Sequence, residues 1–164
     1  MLGQGLYQIG SPAAPPSASP QQNQLDAVFL GREGELMSNS PALSILVVDD
    51  DLMMRMLSGC MVESAGFNAV SAKNADDAIR VLEGQSDIRV VFTDVNMPGS
   101  MNGMELAAVI GRRWPAIGVL VTSGDASSEV LPAGRTFIQK PYSLDTVITA
   151  LKDLSCSYGA FAEH

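Results

Sequence analysis

Three apolar runs in this chain end in oxygen-bearing side chains, and a fourth ends in an ammonium. Asp49 and Asp50 follow Leu46-Val47-Val48, Asp94 follows Val90-Val91-Phe92-Thr93, Thr122 follows Val119-Leu120-Val121, and Lys140 follows Phe137-Ile138-Gln139. If each run is a buried parallel strand, these groups meet in the crevice at the strands' carboxyl ends, where open α/β sheets bind ligands. Three carboxylates, a hydroxyl and an ammonium in one crevice suit a divalent cation and a phosphoryl group. Hard cations such as Mg²⁺ take oxygen ligands and keep several waters, so one or two carboxylates suffice. Asp50 and Asp94 are the expected direct ligands, Asp49 acts through a water, and the backbone carbonyl of Asn96 is a further ligand. Without a cation the clustered carboxylates repel, which raises at least one pKa.

A carboxylate in such a site can also be a nucleophile, because carboxylates form acyl phosphates. Phosphoryl transfer needs chiefly positioning and charge neutralisation. The metal and Lys140 would neutralise the equatorial oxygens, and the Thr122 hydroxyl would donate to one of them. Pro141, directly after Lys140, sets the turn that aims the lysine inward.

The elements that must hold these groups are legible in the spacing. Strands are expected at Ser44–Val48, Asn68–Ala72, Ile88–Thr93, Ile117–Val121 and Thr136–Gln139. Between them, Asp51–Ala65 reads as a helix with Met53, Leu57, Cys60 and Met61 on its core face, and Met54 and Met56 also packing on the sheet. A second helix is capped by Asn74 and carries Asp76 and Asp77 in its first turn, where acids favour the macrodipole. A third spans Gly103–Trp114, stopped by Pro115, and a last helix opens at Ser143 and buries Leu144, Val147, Ile148 and Leu151. Near-continuous Val/Ile/Leu strands alternating with helices imply an α/β fold with a five-stranded parallel sheet covered on both faces.

The chain has 164 residues, 46% of them hydrophobic, enough for one domain and an appendage. A net charge of −8 argues against a nucleic-acid-binding surface, which needs a basic face. Cys60 and Cys156 are too few for a disulfide framework and fit a reducing cytoplasm. No apolar run has membrane-spanning length, and no basic region precedes an apolar N-terminal segment. Residues 1–41, with Pro, Ser, Ala and Gln dominating Ser11 to Gln24, read as a disordered arm. The folded domain is expected over 42–155 and a short tail over 156–164.

VVDDD, TDVNMP, VTSG and FIQKPY, in that order, resemble the response-regulator receiver domain of bacterial two-component signalling, over roughly Leu43 to Leu154. The resemblance implies a doubly wound, flavodoxin-like sheet of strand order 2-1-3-4-5. It implies that Asp94 is phosphorylated by a histidine kinase or histidine phosphotransfer protein, that Asp49 and Asp50 hold Mg²⁺, and that Thr122 and Phe137 switch on phosphorylation. No output domain follows Leu154, so a stand-alone cytoplasmic receiver acting by protein–protein contact is expected, with neither nucleic acid nor membrane as partner. Asn96 and Gly124 flank the path of attacking water, and Gly124 has no side chain to obstruct it, so a short-lived phosphoform is expected.

Three departures from the family pattern stand out. The loop Met97-Pro98-Gly99-Ser100-Met101-Asn102-Gly103 is one residue longer than usual, and Ser123 replaces the common alanine. The stretch from Thr122 to Lys140 is short and contains Pro132, so the fourth helix of the family is expected to be truncated or absent. The competing reading is a phosphohydrolase resembling the haloacid dehalogenases, with Asp49 of Asp49-Asp50-Asp51 as nucleophile. Against it, Asp94 precedes Thr122 and no segment could cap a substrate.

Overall fold

The computed structural model describes residues 42–125 and 135–159. Five strands form one parallel sheet in the order β2-β1-β3-β4-β5: β1 Ser44–Val48, β2 Asn68–Ala72, β3 Ile88–Asp94, β4 Gly118–Ser123 and β5 Arg135–Gln139. The described helices are α1 Leu52–Ser64, α2 Ala75–Gly84, α3 Gly103–Arg113 and α4 Leu144–Gly159. The expected α/β class, strand order and element boundaries agree with this to within a residue or two at most ends. Helix α4 runs beyond Leu154, so residues 156–159, assigned to a tail from the sequence, are helical. The expected disordered arm and the expected loss of a fourth family helix both fall outside the described residues.

Alternation along β1 divides the core between two faces. Leu46 and Val48 pack with Ala78 and Leu82 of α2 and Leu106 and Ile110 of α3. Ile45 and Val47 pack with Val62 of α1 and Val147, Leu151 and Leu154 of α4. The pleat sends successive side chains to opposite faces, so burial on both faces requires the unbroken apolar runs seen in β1, β3 and β4. Caps fix the helix starts. Asp51 accepts from the Met54 amide, Asn74 from that of Asp77, and Asn102 forms a capping box with Glu105.

One expectation about α1 is overturned. Leu52, Met53, Met56 and Leu57 are 59%, 74%, 60% and 50% exposed, and Cys60 is exposed as well. The inward face is instead Ser58 and Val62, with Met61 partly buried against the core. The helix is apolar around most of its circumference, so periodicity could not say which stripe faces the sheet. Leu144, also expected inside, is 44% exposed at the start of α4.

Candidate functional site

Parallel register brings the chemistry-bearing residues to one edge of the sheet. Val48 pairs with Thr93, Asp94 with Thr122, and Ser123 with Gln139. Asp49, Asp94 and Thr122 therefore emerge on neighbouring strands at the same level, and Lys140 follows two residues beyond that level, just past the end of β5. Backbone bonds carry the alignment past the strand ends: Val95 N donates to Thr122 O at 2.8 Å, and Lys140 N to Ser123 O at 2.8 Å. The Lys140–Pro141 peptide is cis.

Lys140 Nζ lies 3.3 Å from Asp94 Oδ1, both side chains being mostly buried. This charge contact lacks hydrogen-bond alignment, and the buried Oδ1 accepts no hydrogen bond among the described residues. A buried carboxylate oxygen left in that condition is costly, so the site favours a cationic or covalent partner for it. Asp49 is buried beside it, its Oδ1 accepting from the Asp51 amide at 2.9 Å. Burial pushes the Asp49 carboxyl above its ordinary pKa of 3.8; the Asp51 amide opposes this, Asp94 adds to it, Lys140 opposes it, and Asp50 adds to it. Asp50 is exposed at the rim, and Asn96 is exposed in the loop after β3.

The donor set fits a hard divalent cation. Its side-chain donors are carboxylate oxygens, with neither thiolate nor imidazole among them. Among the described residues, however, no three acidic, His or Cys side chains close on one point tightly enough to hold an ion unaided. The expected convergence of three carboxylates is thus looser than pictured. A cation would take at most two of them directly and complete its shell with backbone oxygen and water, as Mg²⁺ commonly does.

Thr122 is buried, and its Oγ1 donates to Thr93 O at 3.4 Å rather than to Asp94. Phe137 pairs in register with Val121 and is partly buried against the α2/α3 core. Ser123 is buried, its Oγ accepting from the Asp125 amide. Trp114 packs against the core at the end of α3, with the Arg113 guanidinium 4.3 Å over its ring.

Three contributors were missed from sequence. Arg55 turns back and donates from Nη1 to Asp49 O at 2.7 Å, tying α1 to the acidic corner. Gly103 opens α3 against Asp94: a Cβ there would lie 2.0 Å from Asp94 O and 2.8 Å from Asp94 C. Tyr142 is half-buried, its ring centroid 6.4 Å from that of Phe92 and tilted by 57°. Each depends on a tertiary contact. Only the glycine at the first position of an expected helix gave any signal.

Comparison with known proteins agrees with this geometry. The family model "Response regulator receiver domain" matches residues 45–152. The nitrogen assimilation regulatory protein NtrX of Azorhizobium caulinodans is 30% identical over 113 residues, covering 65% of this chain and 25% of the relative. The chain spans about a quarter of the length of such NtrX-type relatives. A receiver domain from Clostridium thermocellum superposes with a TM-score of 0.67 at 22% identity, covering 73% of this chain and 98% of that one. The response regulator TrrA of Thermotoga maritima, solved in complex with Mg(2+)-BeF, gives 0.63 at 23% identity, covering 68% and 98%. With its sheet order, strand-end residues and family match in agreement, the chain belongs to the response regulator receiver family.

Proposed function

We propose that this receiver takes a phosphoryl group on Asp94 from a phosphohistidine of a histidine kinase or histidine phosphotransfer protein. The observation that carries the reading is the buried Asp94 Oδ1, unpartnered by any hydrogen bond yet 3.3 Å from Lys140 Nζ. An Asp94 carboxylate oxygen attacks phosphorus, the P–N bond breaks, and the imidazole nitrogen leaves with the electron pair. Lys140 stands beside the oxygens that gain charge, and the Thr122 hydroxyl turns from Thr93 O toward the new phosphoryl group. Asp50 and Asp94 would hold Mg²⁺ directly, with Asp49 acting through water and the Asn96 carbonyl adding a ligand; the ion supplies charge neutralisation. Phe137, one strand over, follows Thr122 and carries the change to the β4–β5 surface. The competing phosphohydrolase reading is disfavoured, because the lysine faces Asp94 while Asp49 Oδ1 is already bonded to an amide.

The donor's docking surface is assigned to the exposed apolar stripe Leu52, Met53, Met56 and Leu57. It begins one residue after the acidic pair, beyond the cap Asp51, and contiguous exposed apolar patches mark interaction sites. The setting is the cytoplasm, and output is a change in protein contacts. Among the described residues no helix is long and apolar enough to cross a membrane. Incubation with acetyl phosphate and Mg²⁺ should label the protein, and Asp94→Asn should abolish the label. Undiminished labelling of that variant defeats the reading. Met53→Asp should leave labelling by acetyl phosphate intact while impairing transfer from a phosphohistidine protein.

A further inference from the structure

Asp49, Asp50 and the cap Asp51 form the turn from β1 into α1, and Arg55 spans that turn. Long side chains on a helix point back toward its N-terminus, so an arginine one turn into α1 can fold over the chain before it. The Arg55 amide donates to Asp51 O at 2.9 Å, and its guanidinium Nη1 donates to Asp49 O at 2.7 Å. Other bonds hold the same segment. Asp49 N donates to Ala72 O at 3.2 Å, the Asp51 amide to Asp49 Oδ1 at 2.9 Å, and the Met54 amide to Asp51 Oδ1 at 3.0 Å. Asp50, exposed at the rim, thus lies between two anchored residues.

The choice of acceptor matters. Three carboxylates lie four to six residues before Arg55, yet among the described residues it forms an ion pair with none of them. A guanidinium is a rigid fork of N–H donors that matches a carboxylate well. Placed on a carbonyl instead, it fixes the backbone without capping a carboxylate that a cation could use.

We propose that Arg55 is a positioning residue that gives the acidic corner its preference for Mg²⁺ over Ca²⁺. By tying Asp49 O to α1 it fixes the turn from which the Asp50 carboxylate reaches the ion, without itself touching the ion. This rests on the reading of Asp50 and Asp94 as cation ligands. Mg²⁺ demands near-ideal octahedral geometry at about 2.0–2.1 Å, whereas Ca²⁺ accepts flexible arrangements at about 2.3–2.6 Å. A turn held on both sides of Asp50 therefore favours the smaller ion. Two effects of Arg55 oppose each other. Its charge repels any divalent cation, equally for Mg²⁺ and Ca²⁺, and that repulsion fades with salt. The tether acts on geometry and separates the two ions. Arg55 is only half-buried, so solvent screens its charge and the tether wins.

The test is calorimetric titration of the full chain with MgCl₂ and, separately, with CaCl₂. Arg55→Met keeps the apolar stem and removes the donor. If the untied turn holds the competent geometry for about 10–30% of the time, the apparent Mg²⁺ dissociation constant rises about three- to tenfold. That for Ca²⁺ should stay within about twofold. Arg55→Lys keeps the charge on a side chain one atom shorter, so it should weaken Mg²⁺ to a lesser degree. It also keeps the test available if the methionine variant is unstable. Unchanged or tighter Mg²⁺ binding in both variants overturns the proposal, as does an equal loss for Ca²⁺, the mark of a corner merely disrupted. Failure of the underlying reading looks different: wild-type protein would bind neither ion, or Asp50→Asn and Asp94→Asn would leave Mg²⁺ binding unchanged.

Discussion

Gly103→Ala tests the geometry at its tightest point. The added Cβ would stand 2.0 Å from Asp94 O, 2.8 Å from Asp94 C and 3.0 Å from Val95 Cα, all backbone atoms that cannot rotate away. Ordinary nonbonded contact requires about 3.5 Å, so α3 or the end of β3 must move by more than ~1 Å. Forcing atoms into a packed region costs about 1–3 kcal/mol. Helix propensity acts the other way, because alanine is better than glycine by about 0.5–1 kcal/mol inside a helix. The clash wins, leaving a net loss of about 1–2 kcal/mol. At about 4 °C per kcal/mol, the melting point should fall by roughly 4–8 °C. Activity should suffer more than stability, since the displaced atoms belong to Asp94 itself and a misplacement of about 1 Å can cost ~100-fold in rate. Thermal unfolding and acetyl phosphate labelling, run on the same sample at a temperature where the variant is folded, read both effects. A variant as stable as wild type and labelled at the same rate refutes this account of α3 against Asp94. Gly59→Ala is the control. Its Cβ would meet only Ala69 Cβ, at an ordinary 3.9 Å, so it should stabilise α1 by about 0.5 kcal/mol.

Asp49 gives a pH signature. Its folded pKa is raised, so the folded chain binds the proton more tightly than the unfolded chain. Stability from this group is therefore lost as pH rises above the ordinary carboxyl value of 3.8 and through the folded pKa. Asp49→Asn keeps an acceptor for the Asp51 amide and removes the buried charge, so at neutral pH without metal it should melt higher than wild type; a lower melting point contradicts this. Mg²⁺ should raise the melting point of wild type but scarcely that of Asp94→Asn, as differential scanning calorimetry would show. A Cβ on Gly124 meets nothing within 4 Å, so Gly124→Leu should fold and should slow loss of phosphate by screening attacking water. An unchanged decay of labelled protein would count against that path.

How far the sequence could be read depended on whether a feature is local. The strands of β1, β3 and β4 were legible because strands buried on both faces must be apolar throughout, and Asp94 and Thr122 because each ends such a run. Asn74 was legible as a cap because its bond spans only three residues. The orientation of α1 was not, since apolar side chains nearly all round it remove the contrast on which periodicity relies. The contacts of Arg55 with Asp49 O and of Gly103 with Asp94 O were not legible, for a different reason. The first is the reach of a long side chain across the fold and the second the close approach of two backbones, and a residue type alone specifies neither distance.

The pairing of Asp94 with Thr122 has an evolutionary corollary. One residue gained or lost within β3 would flip the side chains beyond it to the opposite face and dissolve the constellation at a stroke. A residue gained between Asp94 and Gly103 only lengthens a connection. Length change in lineages of this chain should therefore collect in that loop, while the strands keep a fixed count.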